Sequence, residues 1–122
     1  MGYDMNSIDG TLSIKRKNME PAFDALKKAN LAEETLKETL EYAGFYVDTY
    51  SKYDGLVLYS YAGKYSSVER LIPTIAPYMD DSEMWFQGED GTIWRNVFCD
   101  GKVYEQKARI SFDELTEDDL VG

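Results

Sequence analysis

The first clear pattern along the chain is an alternation. Leu12 and Ile14 stand between polar neighbours over Thr11–Lys17, the period of a half-buried strand. Residues 1–9 carry no such pattern and are expected to be loose. Asn18 can cap a helix over Met19–Ala29, with Pro21 tolerated in its first turn and Phe23 and Leu26 facing a core. A second helical stretch, Ala32–Ala43, puts Leu36, Leu40 and Ala43 on one side, and Gly44 follows where a C-terminal cap belongs. The period then returns to two. Phe45–Tyr53 and Leu56–Ala62 read as strands, and the Asp54-Gly55 between them is a strong hairpin signal.

Ser66 with Glu69 has the spacing of a capping box ahead of Val68, Leu71, Ile72 and Ile75, so a third helix is expected. Pro73 should kink it and Pro77 end it. Strands follow over Met84–Gln87, Ile93–Cys99 and Lys102–Ile110, with turns at Gly88-Glu89-Asp90-Gly91 and Asp100-Gly101. Counting across that last turn sets Cys99 opposite Lys102 and Arg95 opposite Gln106, with Glu105 nearby as a candidate ion-pair partner for Arg95. Ser111 and Glu114 form another capping box, so Phe112–Leu120 is expected as a short acidic helix that caps the core or frays. The order β-α-α-β-β-α-β-β-β predicts an α+β fold. It is a mostly antiparallel sheet with helices on one face, a ferredoxin-like core extended by a C-terminal hairpin. No linker divides the chain, so one domain over residues 1–122 is expected, with 1–9 and 113–122 loose.

Charge narrows the partners most. The 23 acidic and 13 basic side chains leave a net charge of −10, and residues 1–30 carry four of the acids and five of the bases. The acidity therefore lies entirely beyond residue 30. A field of that sign repels nucleic acid and anionic membranes and favours a basic partner. Ten Tyr, five Phe and two Trp make the chain rich in residues that anchor protein interfaces.

Catalytic candidates are few. The chain has no histidine, which removes Ser-His and Cys-His nucleophile pairs and nearly all catalytic zinc geometries. Cys99 is the lone cysteine, so no intrachain disulfide is possible, and it is expected as a buried structural thiol. Asp80, Asp81, Glu83 and Asp90 could converge on calcium, but the ligand spacing of a calcium loop is missing. Glu89 and Asp90 lie between Trp85 and Trp94 as a glycosidase pair might, yet they are adjacent at a turn tip rather than facing across a cleft. No enzyme activity, cofactor or metal is expected. There is no long apolar stretch and no signal-peptide core, so the expected place is the cytoplasm of a bacterial host.

Three surfaces can bind. The acids Asp80, Asp81, Glu83, Glu89 and Asp90 bracket one strand and could imitate a strip of DNA phosphates. Tyr59 and Tyr61, with Tyr46 and Tyr50 on the preceding strand, could form an exposed aromatic sheet face. The acidic tail could dock through Phe112 and Leu115. The stretch Ala76-Pro77-Tyr78-Met79, then Gly88-Glu89-Asp90-Gly91, Trp94-Arg95, Phe98 and Gly101-Lys102, is similar to a loose family of small bacterial and phage proteins of no assigned function. That resemblance covers roughly residues 60–105 and implies a phage or mobile-element setting. The expected function is a non-enzymatic acidic protein that occupies a basic surface of a nucleic-acid-binding protein. A phage-encoded, anti-CRISPR-like inhibitor of a host defence nuclease is its specific form. The alternative is a module that self-associates through the tyrosine face, so both monomer and homodimer stay open.

Overall fold

The computed structural model describes residues 2–48 and 52–122. Six strands form one antiparallel sheet: β1 (Asp4–Lys15), β2 (Phe45–Asp48), β3 (Gly55–Lys64), β4 (Ser82–Gly88), β5 (Ile93–Cys99) and β6 (Lys102–Lys107), in the spatial order β2-β3-β1-β4-β5-β6. Helices α1 (Arg16–Lys28) and α2 (Leu36–Ala43) lie between β1 and β2, and two short turns, α3 (Tyr65–Val68) and α4 (Leu71–Ile75), form a third helical segment before β4. The order β2-β3-β1-β4 is the split βαβ arrangement, with β3 inserted between β1 and β2. The hairpin β5–β6 extends it at one edge. This is the α+β class that the periodicities predict.

The core lies between one face of the sheet and the helices. Leu12, Ile14, Leu58, Met84, Phe86 and Phe98 on the strands meet Ala22, Leu26, Leu40, Val68 and Ile75 on the helices, and all of these are buried. Complete burial of a Leu, Ile or Phe side chain contributes roughly 1.5–3 kcal/mol before entropy is subtracted. Among the described residues no helix lies over the other sheet face.

Several boundaries differ from the sequence reading. Residues 4–9, expected to be loose, belong to β1, which is central in the sheet. An extra residue at Ile8 shifts its pairing with β4 between Ser7 and Asp9, and this bulge breaks the alternation that would have shown the strand. The Ser7 hydroxyl accepts the Tyr61 backbone N–H at 2.8 Å across the irregular stretch. Helix α1 starts at Arg16 rather than Met19, directly from β1 and without a side-chain cap, so Asn18 is inside it. Helix α2 starts at Leu36, not Ala32, because the Thr35 hydroxyl accepts the Glu38 N–H and sets the first turn there.

The capping box at Ser66 does not form, since α3 opens at Tyr65 with no side-chain cap. The helical segment breaks between Val68 and Leu71, where Pro73 has no N–H to offer the Glu69 carbonyl. Strand β6 stops at Lys107, short of Ile110, and Phe112–Leu120 is not an α-helix. Beyond Lys107 the chain is irregular apart from a single 3-10 turn at Glu117–Asp119, where Thr116 and Asp119 make the reciprocal cap expected of Ser111 and Glu114.

Candidate partner-binding surfaces

Strand β4 separates the five predicted acids into two groups. Asp80 and Asp81 precede it and Glu89 and Asp90 follow it, about 23 Å apart for seven extended residues, with Glu83 between them. Most of these carboxylates already have partners. Asp80 accepts from Ser13 Oγ at 2.7 Å and from the Tyr53 hydroxyl, with Lys15 Nζ 3.6 Å away. Asp81 accepts the Asp100 N–H at 3.0 Å. Glu83 accepts from the Trp85 indole at 2.6 Å and from Arg95 at 3.0 Å, and these two donors hold its carboxyl below the usual range. Asp90 accepts from the Tyr3 hydroxyl and, at 3.0 Å, from the Thr92 N–H, and its carboxyl is likewise held low, with Tyr3 the larger cause. The Glu89 carboxylate accepts no hydrogen bond among the described residues, though its N–H donates to the Asp4 carbonyl at 2.9 Å; its charge helps to hold the Lys64 ammonium protonated, behind the stronger effect of Asp4. Asp80, Asp81 and Asp90 thus brace the loops at the two ends of β4 and Glu83 links β4 to β5, so the five carboxylates form no continuous strip.

The tyrosine face is also rearranged. Tyr46 pairs with Ser60 but Val47 pairs with Leu58, so Tyr59 is an extra residue on β3. This bulge breaks the alternation that would have put Tyr59 and Tyr61 on the same side. Tyr59 is 39% exposed on the open face, whereas Tyr61 is 2% exposed and packs against Phe45 and Phe86 in the core. Burial pushes the Tyr61 hydroxyl up to about 12. Its O–H donates to the Lys64 carbonyl at 2.8 Å. Tyr61 is therefore not available to a partner, and Tyr50 lies outside the described residues. Trp85 on β4 and Tyr104 on β6 join Tyr46 and Tyr59 as exposed aromatics of the open face. The aromatic face expected from the sequence holds tyrosines alone. The alternation of β4 around Met84 and Phe86 is the signal that turns Trp85 outward.

Strand β5 turns Trp94, Asn96 and Phe98 inward. Cys99 shares the opposite phase with Ile93, Arg95 and Val97 and is exposed, not a buried structural thiol. Asp81, Cys99 and Asp100 place a thiol and two carboxylates within 4.8 Å of one another. The charge of Asp100 pushes the thiol up, which keeps it protonated and a poor ligand or nucleophile. Arg95 lies opposite Gln106, as counting across the turn predicts, and donates to its side chain at 2.9 Å. Its ion pair, however, is with Glu83 on β4; Glu105 turns to the helix side and accepts from the Tyr65 hydroxyl at 3.1 Å.

The tail is the most exposed part of the described chain. From Ile110 to Gly122 it carries Asp113, Glu114, Glu117, Asp118 and Asp119 and no base, half of the chain's net charge. Ile110, Phe112, Leu115, Leu120 and Val121 are 84–96% exposed along the same stretch. Ala108, whose N–H donates to the Ile93 carbonyl at 3.0 Å, is the last described residue with a backbone hydrogen bond to the body. Among the described residues no helix is long and apolar enough to cross a membrane. No family model, curated protein or solved structure matches this chain.

Proposed function

We propose that this protein is a non-enzymatic binding protein that occupies a basic surface of another protein, with its acidic tail as the leading contact. The observation that carries this reading is the make-up of residues 110–122: five carboxylates, no cation and five large apolar side chains facing water. Exposed apolar groups next to unpaired like charges contribute nothing to the fold, but they suit an apolar groove rimmed by Lys or Arg. A nucleic-acid-binding protein offers such a surface. An inhibitor that blocks a host defence nuclease, carried by a phage, is the specific form this reading takes.

Two charge variants of the tagged protein separate the tail from the body in capture from bacterial lysate at low and high salt. The first changes Asp113, Glu114, Glu117, Asp118 and Asp119 to Lys; the second changes Asp80, Asp81, Glu83, Glu89 and Asp90. The expected result is a basic protein retained at low salt, released by high salt and lost with the first variant. Retention that ignores both variants and salt would sink the proposal.

A second reading, self-association through the open sheet face, has its own support in the exposure of Tyr46, Tyr59, Trp85 and Tyr104. Sedimentation at high concentration tests it: a monomer throughout removes it, and a dimer dispersed by Tyr46→Lys with Tyr104→Lys supports it.

A further inference from the structure

On the helix side of the sheet, near the β6 edge, Trp94 forms the floor of a cleft of about 320 Å³. It is only 6% exposed, with Phe86 stacked against it at 5.9 Å between ring centres. Tyr3 and Tyr65 stand beside it, with ring centres 6.2 and 6.1 Å from that of Trp94. Both walls are fixed by their hydroxyls, Tyr3 donating to Asp90 and Tyr65 to Glu105. The Tyr3 position is built in at the backbone level as well. A side chain at Gly88 would bring its Cβ 1.6 Å from the Tyr3 oxygen, and the Tyr65 N–H donates to the Tyr3 carbonyl at 2.8 Å.

Two features of this cleft are left over from the fold. The tyrosine hydroxyl and the Thr92 N–H both address Oδ1 of Asp90, and Tyr65 addresses Oε1 of Glu105. Glu105 Oε2 accepts no hydrogen bond among the described residues, while the Thr92 side chain also bonds the Asp90 carboxylate. The Trp94 indole N–H is buried and likewise has no acceptor. An orphaned buried donor costs about 1–3 kcal/mol, so a ligand that supplies an acceptor recovers free energy there. Lys107 also lines the cleft, and with Asp90 and Glu105 the site remains net acidic.

We propose that this cleft binds the guanidinium side chain of an arginine on a partner protein. The proposal rests on the reading that the protein engages a basic partner and adds to it the group that is recognised. Tyrosine walls over a tryptophan floor attract a planar cation, and a guanidinium can stack on a ring while giving parallel N–H donors to a carboxylate. Glu105 Oε2, with the Asp90 carboxylate beside it in the lining, takes those donors. The Trp94 N–H is covered in this structure, so a peptide carbonyl beside the arginine reaches it only as the cleft adjusts around the side chain, and a free small cation brings no such acceptor. The match is to a protein-borne arginine rather than to a metabolite cation.

The test uses the full-length, nitrogen-15-labelled chain and N-acetylarginine methylamide as probe, read at the indole N–H signals of its two tryptophans. The Trp94 signal should move saturably in the millimolar range while the Trp85 signal, on the opposite sheet face, stays in place. Asp90→Asn with Glu105→Gln should weaken the response about tenfold while the spectrum keeps its folded dispersion. N-acetyllysine methylamide should bind less well, and ethylguanidinium, lacking a carbonyl, should shift Trp94 less at saturation. No saturable movement at Trp94, an unchanged affinity in the double variant, or an equal response to the lysine probe would overturn the assignment. No partner protein enters this titration. A null result with lysate capture intact therefore removes the cleft alone, and a positive result with no capture removes the functional reading alone.

Discussion

Two Asp-Gly pairs in this chain have the same local signal and different fates. Asp100-Gly101 makes the tight turn between β5 and β6, with both residues at positive φ, 52° and 76°, and Cys99 directly opposite Lys102. That is the two-residue geometry that matches the twist of a hairpin. Asp54-Gly55 makes no such turn. Asp48 pairs with Val57, so the chain between β2 and β3 is longer than two residues, and residues 49–51 of it lie outside the described part. Gly55 instead opens β3 opposite Lys15, with the Asp54 carbonyl accepting the Arg16 N–H at 3.0 Å. The difference lies in the neighbours. Strand β6 is an edge strand paired only with β5, so its turn is free to set the register. Strand β3 is held on both sides, by β1 and β2, and its bulge at Tyr59 adjusts one pairing to the other. Where a strand has two partners, tertiary register overrides a dipeptide.

The largest effect that would test this comparison is at the glycines. An added Cβ at Gly55 would be 2.0 Å from the Ile14 carbonyl oxygen with φ at 153°, where β3 enters its pairing with β1. Gly55→Ala should cost about 3 kcal/mol in denaturant unfolding. At Gly101 the nearest atom is 3.6 Å away, so Gly101→Ala carries only its left-handed backbone cost of about 1 kcal/mol. Equal costs at the two sites would break the contrast.

The next test is at Tyr61, on the strand that overrode the local signal. Its hydroxyl titrates near 10 in the unfolded chain and near 12 in the fold, so the native state holds the proton more tightly. The resulting stability is complete below pH 10 and is lost as pH rises through about 12. Tyr61→Phe should flatten that alkaline decline while costing about 1 kcal/mol near neutrality from the orphaned Lys64 carbonyl. An alkaline profile unchanged by the substitution would contradict the burial of Tyr61.

The smallest effect belongs to Glu83, whose depressed titration places its contribution above the carboxylate range and removes it as pH falls. Glu83→Gln should shift the unfolding midpoint slightly at neutral pH and not at all in acid. A shift that persists in acid would show that Glu83 acts through packing rather than charge.

The element order and the β5–β6 register were legible because they rest on local signals: capping glycine Gly44, alternation over Ile93–Cys99 and one unopposed turn. The kink of the third helix was legible at Pro73, but residues 4–9 and the split of the tyrosines were not. Each of these two depends on an irregularity, at Ile8 or Tyr59, whose consequence is set by what packs beside it. The acids near β4 were visible as a cluster in sequence, but a strand of seven residues keeps its ends apart. Tyr3, Tyr65 and Glu105 had no signal that could bring them to Trp94, because the chain segments that carry them meet only in the assembled sheet.

We propose that residues 110–122 serve a partner and not the fold. Deleting them from the tagged protein and measuring both the unfolding midpoint and lysate capture tests this directly. The account predicts an unchanged midpoint together with loss of the salt-sensitive basic partner. A lowered midpoint, or capture that survives the deletion, would contradict it.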